Sequence, residues 1–214
     1  MAVMTLTSFQ PSLLDGDDLR LGRLHDGLTR TTLTQGAWVD TYPGWLHGAD
    51  ELYERLITRV PWKAERRPMY DRVVDVPRLL KFYGEDETFP DPVLVDARDA
   101  LSEHYGGELG DRFRTAGLCL YRDGRDSVAW HGDYVAREQG SRDTMVAILS
   151  VGSPRALLLR PKAGGAAGLR FEVGHGDLLV MGGSCQRTWD HAVPKTAKAV
   201  GPRISIQFRP RWVR

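Results

Sequence analysis

Beyond residue 112 the chain breaks into short apolar runs, among them Gly117–Tyr121, Met145–Val151, Ala156–Arg160, Leu169–Val173, Asp177–Met181 and Ile204–Phe208, each bounded by Gly, Pro or a polar turn. Runs this short are strand-sized and leave no room for long helices. Their close, regular spacing confines this half to an antiparallel sandwich or barrel. Gly and Pro, 23 and 12 residues over the whole chain, punctuate these runs, as tight turns require. An earlier strand is expected over Ala37–Asp40.

Two amphipathic helices precede the strands. Leu52, Tyr53, Leu56, Ile57 and Val60 recur at helical spacing from Asp50 to about Arg59, with Asp50 as the expected N-cap and Pro61 just past the end. The second helix runs from Pro92 to Tyr105, capped by Asp91 and stopped by Gly106-Gly107. Helices with one apolar face must lie on something, so they are expected on the outer face of the strand layers. The 214 residues read as a single domain, with an N-terminal extension over about 1–110 and a strand-built core over about 112–211. The fold class is α+β, mainly β.

Hydrophobic residues at 42% and charged ones at 27% describe an ordinary globular chain. No window nears 18 consecutive apolar residues, so no membrane partner is expected. The start lacks a basic segment followed by an apolar one, and Cys119 and Cys185 are the only cysteines. These features predict a cytoplasmic monomer with reduced thiols, and they exclude a cysteine-built zinc site.

Two His-Gly-Asp triplets occur. His175-Gly176-Asp177 lies between two strand-like runs and reads as a hairpin turn. His131-Gly132-Asp133 ends an extended run, where residues two apart face the same way and can meet one ion. A second imidazole would complete the two-His, one-carboxylate face used by non-haem iron(II) oxygenases. His25, His47, His104, His175 and His191 are the candidates, and His191 gains from its late position in a sheet that can close on itself.

In Arg203–Arg209 the polar Arg203, Ser205, Gln207 and Arg209 alternate with Ile204, Ile206 and Phe208, so all four share one strand face. Guanidinium groups on a buried face need anions. A small dicarboxylate would satisfy both arginines, and an internal ion pair with a distant Asp or Glu is the other solution.

In this order the motifs resemble the AlkB family of iron(II)- and 2-oxoglutarate-dependent dioxygenases. The resemblance covers about residues 70 to 211: Val76–Gly84, Leu120–Asp133, Gly176–Gly183 and the R-x5-R ending Arg203–Arg209. It implies a double-stranded β-helix, or jelly roll, with Fe(II) held by His131, Asp133 and His191 as the catalytic centre. It further implies 2-oxoglutarate bound by Tyr121, Arg203, Ser205 and Arg209, with Arg209 nearer the chelating end, and O2 as the second cosubstrate. The implied activity is oxidative dealkylation of alkylated DNA or RNA, releasing formaldehyde, succinate and CO2. Arg78, Phe82 and Tyr83 fall in the segment matching the family's nucleotide-recognition region, with Trp62 and Trp130 as further aromatic platforms. The chain departs from the family where Cys119 and Ser205 replace frequent asparagines and Val135 an acidic residue. An oxygenase of small molecules or protein side chains, and a non-catalytic jelly-roll binding module, are the alternatives.

The net charge of +1 conceals segregation. Arg55–Lys81 holds eight basic and three acidic residues, Arg187–Arg214 seven and one, and Glu85–Asp111 one and nine. This predicts a basic mouth and an acidic back.

Overall fold

The computed structural model describes residues 18–69, 72–133, 142–164, 167–211 and 213. The first half contributes β1 (Arg20–Leu21), α1 (Leu24–Gly27), β2 (Thr29–Thr32), β3 (Ala37–Tyr42), β4 (Leu46–His47), α2 (Ala49–Arg59), β5 (Lys63–Met69), β6 (Arg72–Tyr83) and α3 (Pro92–Leu109). The second half supplies β7 (Thr115–Tyr121), β8 (Val128–His131), β9 (Val146–Gly152), β10 (Arg155–Pro161), β11 (Leu169–Val173), β12 (Leu178–Gly183), α4 (Cys185–Thr188), β13 (Trp189–Val193) and β14 (Arg203–Arg209).

An eight-stranded antiparallel sheet in the order β2-β3-β12-β9-β14-β7-β6-β5 packs against a four-stranded sheet, β11-β10-β13-β8. This is the jelly-roll arrangement of two facing sheets. The large sheet is covered on both sides, and its side-chain alternation divides two cores. Ala147, Leu149, Val151, Ile204, Ile206 and Phe208 face α2 and α3 and join Leu52, Leu56, Leu94 and Leu101. Val146, Ile148, Leu179 and Met181 face the small sheet and meet Leu157, Leu159, Trp189 and Val193. Burial on both faces explains why β9 reads as a continuous apolar run.

The strand-rich half matches its sequence pattern with ends moved by a residue or two. Helix boundaries differ more. The N-cap of α2 is Gly48, in the left-handed region at φ 64°, and Asp50 lies inside the first turn. Only glycine adopts that backbone readily, so the cap is conformational and no side chain closes it. Asp91 does cap α3, its Oδ1 accepting from the Val93 amide at 3.1 Å. The helix then continues through Gly106-Gly107 to a left-handed Gly110, because two helical glycines weaken a packed helix without ending it.

The segment before α3, expected to carry recognition residues, is a hairpin in which β6 joins the large sheet beside β7. The second His-Gly-Asp triplet is a turn between β11 and β12. Asp177 accepts from the Gly44 and Gly174 amides at 2.8 and 2.7 Å, and His175 Nδ1 accepts from Gly152 at 2.8 Å. Those contacts hold loops together.

Leu149 is fully buried between the large sheet and the helices. Leu149→Ala is expected to lower unfolding free energy by about 2–5 kcal/mol, read from a shifted denaturant midpoint at constant slope.

Candidate active site

The small sheet brings the site together by register. In the antiparallel pair β13–β8, His191 stands opposite His131, with ring centroids 4.2 Å apart. His131 Nδ1 lies 2.9 Å from the Ala129 carbonyl. Donation of that N–H leaves Nε2 as the ligand atom. Asp133 follows two residues later, its Oδ1 3.7 Å from His131 Nε2. One ligand atom from each of His131, Asp133 and His191 fits within a span of 4.8 Å. Two imidazoles and a carboxylate on one side of a point is the donor set that suits a divalent first-row metal.

Burial sets the protonation states. His191 is buried, and loss of hydration, followed by the neighbouring His131, lowers its pKa to about 3. It is therefore the neutral, lone-pair-bearing form at neutral pH. Burial alone would raise the Asp133 carboxyl, but Arg209, His191 and His131 outweigh it and hold the group at about 2. Arg209 Nε donates to Asp133 Oδ2 at 2.9 Å, and the Asp133 amide donates to Gln186 Oε1 at 3.0 Å. The carboxylate is thus charged, oriented and left with one oxygen toward the imidazoles.

A cavity of about 70 Å³ opens beside the three residues, lined by Arg78, Cys119, Tyr121, Ser205, Gln207 and the guanidinium groups of Arg203 and Arg209, among others. A single water needs roughly 10–15 Å³ by the same measure, so the space suits a small molecule. Arg203 is fully buried. Its Nε donates to Ser150 Oγ at 2.9 Å, while its Nη1 has no hydrogen-bond partner among the described residues. Burial, with no carboxylate in contact among the described residues, pulls this guanidinium below its usual pKa. Arg78 Nε is a second unpartnered buried donor in the same wall. Tyr121 faces Arg203 across β7–β14, with its hydroxyl pKa pushed up by burial to about 12 and so protonated. Buried donors without acceptors call for an anion.

The two solutions open for the arginines divide between them. Arg209 has the internal ion pair, with Asp133, and Arg203 does not. Tyr121, Arg203, Ser205 and Arg209 all line the cavity. Arg78 lines both the cavity and an outer groove. The aromatic expectations fare differently. Tyr83 is buried on the helix side, edge-on to Phe89 at 6.1 Å, and is a core residue. Trp62 packs against the same core. Phe82 stands opposite Gly117 on the cavity face of the sheet but is 42% exposed and outside the cavity wall. Val135 lies outside the described residues.

Two contributors escape sequence pattern. Gln186 sits in the short helix α4, which has no periodicity to announce it. Gly117 matters for what it lacks: a Cβ there would lie 2.7 Å from Arg209 Nη1 and 3.2 Å from Gln207 Oε1. Gln207 was visible on the polar face of its strand, and its Nε2 donates to Ser205 Oγ at 2.7 Å while its Oε1 faces Cys119 Sγ at 3.6 Å.

The segments that suggested a basic mouth and an acidic back meet at several ion pairs. Arg55 and Arg59 both reach Asp91, Lys81 reaches Glu87, and Arg114 and Arg211 reach Glu85. At these points the basic and acidic segments touch, and the paired charges offset each other.

Residues 85–209 match the model of the 2OG-Fe(II) oxygenase superfamily. "Alpha-ketoglutarate-dependent dioxygenase alkB homolog 3" of Bos taurus is 32% identical over 203 residues, covering 86% of this chain and 66% of the relative. The Homo sapiens protein of that name is 31% identical, covering 78% and 64%. "DNA oxidative demethylase ALKBH2" of Arabidopsis thaliana is 34% identical over 140 residues, covering 55% and 43%. The chain thus spans just under two thirds of the length of the first two. Among solved structures, "The structure of OsALKBH1" superposes with a TM-score of 0.57 at 14% identity, covering 85% of this chain and all of the other, a likeness of fold. Among the described residues no helix is long and apolar enough to cross a membrane.

Gly117→Ala is expected to push Arg209 off Asp133 and weaken metal binding by about 10- to 100-fold, the usual effect of losing an outer partner. Titration of the metal-free protein with cobalt(II), followed by visible absorption, measures it.

Proposed function

The chain belongs to the 2OG-Fe(II) oxygenase superfamily and, within it, to the AlkB family, and from that premise we propose that it dealkylates N-alkylated bases of DNA or RNA. Iron(II), 2-oxoglutarate and O2 are the required partners in this reading. The observation that carries it is the juxtaposition of the His131–Asp133–His191 cluster with a cavity whose wall holds the buried, unsatisfied Arg203. The relatives named as a dioxygenase and a DNA oxidative demethylase support the nucleic-acid substrate.

The donor set fits the metal and the cavity fits the keto acid. His131, Asp133 and His191 would hold the iron. Arg203, with the protonated hydroxyl of Tyr121 beside it, would receive the carboxylate remote from the metal. Bound iron supplies the oxidising chemistry, by which one oxygen atom of O2 enters an N-methyl C–H bond and the other enters 2-oxoglutarate, giving succinate and CO2. The N-hydroxymethyl base then breaks its C–N bond, leaving N–H on the base and formaldehyde free.

The chain's own contribution is placement and a dry wall. Arg209 fixes the Asp133 carboxylate, and the Ala129 carbonyl fixes the His131 ring. Val128, Val146, Ile148, Leu157 and Val193 line the cavity and keep bulk water from the reacting atoms. Gln207 bridges Ser205 and Cys119 and so supplies an amide to a wall where those two residues offer only a hydroxyl and a thiol.

The iron-loaded protein, given 2-oxoglutarate and a panel of N-methylated DNA and RNA oligonucleotides, is expected to form formaldehyde and succinate in equal amounts, with loss of one methyl mass from the oligonucleotide. His131→Ala is expected to abolish both. Succinate formed without any methyl loss across the panel contradicts a nucleic-acid substrate.

A further inference from the structure

Trp130 precedes a residue of the metal-type cluster yet cannot share its cavity. Neighbours on a strand point to opposite faces, so where His131 turns inward, Trp130 turns out, beside Ala192 and Leu158 on the outer face of the small sheet. It is one of only two large hydrophobic residues exposed among those described, at 38%. The Arg160 guanidinium lies 4.3 Å from its ring centroid.

The ring lines a groove of about 620 Å³ between the small sheet and the hairpin, with Val76, Pro77, Leu158, Pro194 and Lys195 among its walls. Arg160 is not one of those walls, so it backs the indole while the groove meets the rest of the ring. His131 and Arg78 line both groove and inner cavity, so the two lie against each other. The groove's carboxylate, Asp75, is paired with Arg66 at 3.1 Å, and nearby Asp190 with Arg160 at 3.4 Å. Lys195 is exposed and makes no ion pair among the described residues. The site therefore offers a flat aromatic surface, a guanidinium stacked behind it and cationic groups at the rim. Bases stack on aromatic rings and phosphates seek cations, whatever the sequence.

We propose that this groove carries the single strand flanking the reacting nucleotide, with a neighbouring base stacked on Trp130, which Arg160 backs, and its phosphate held by Lys195. The proposal rests on the nucleic-acid reading above and adds where the strand runs. Trp130 is thereby a platform for a flanking base and not for the one being repaired.

The test measures binding of a fluorescein-labelled, unmethylated single-stranded oligonucleotide to the iron-loaded protein by anisotropy, at several salt concentrations. Methyl loss from the methylated oligonucleotide is followed in parallel. Trp130→Ala is expected to raise Kd about tenfold, with Trp130→Phe restoring most of the affinity. Lys195→Glu is expected to raise Kd and to reduce the slope of log affinity against log salt by about one, and Arg160→Glu to raise Kd by removing the cation behind the ring. If the wild type demethylates the oligonucleotide and these variants bind it unchanged, the groove is not the strand's path. If Trp130→Phe is as weak as Trp130→Ala while both charge reversals bind normally, Trp130 acts only by supporting His131, and the proposal fails. If the wild type neither binds nor demethylates any oligonucleotide, the underlying reading fails and takes the proposal with it.

Discussion

A carboxylate buried between two imidazoles is the constraint around which the molecule is arranged. Removing Asp133 from water without compensation would drive it to the neutral acid, which binds metal poorly. Arg209 prevents this with a 2.9 Å contact from the last strand of the large sheet to the loop that follows β8 of the small one. The contact is an ion pair and also a clamp across the two sheets. It fixes how the sandwich closes on its site side. Gly117 is bare because the guanidinium must pass over it.

The polar face of β14 distributes its work along the strand. Arg209 serves the metal-type cluster, Gln207 and Ser205 form the middle of the wall, and Arg203 waits at the far end with an unsatisfied donor. The opposite face of the same strand, Ile204, Ile206 and Phe208, is fully buried against the helices. A strand can carry buried charge on one face only if the other anchors it, and the helices supply that anchor. This accounts for the helical layer: it covers the back of the sheet whose front forms the cavity.

Much of this was legible in the chain itself. The period-two pattern of Arg203–Arg209 announced both the apolar anchor and the polar wall. The His131-Gly132-Asp133 spacing on extended backbone pointed to an imidazole and a carboxylate side by side, as the cluster shows, and the glycines around His175 marked its turn. What was not legible depends on tertiary packing. Nothing in Thr188–Pro194 shows that His191 will pair in register with His131. Tyr83 and Phe82 are adjacent and look equivalent, but strand alternation sends Tyr83 into the helix-side core and leaves Phe82 outside. Nor does the charge pattern show that the ends of α2, β6 and β14 lie near α3 and its preceding loop, where opposite charges pair. Asp50, a good cap by type, lost that position to a glycine whose left-handed backbone turns the chain into the helix.

The central claim is that Arg203 waits for the remote carboxylate of a keto acid beside the metal. Anaerobic calorimetric titration of 2-oxoglutarate into the iron-loaded protein tests it directly, comparing the wild type with Arg203→Met. The account predicts one-to-one binding by the wild type and affinity roughly 10- to 100-fold weaker in the variant, the scale of one charge-assisted contact, with iron still bound. Equal affinity in the two proteins would contradict it.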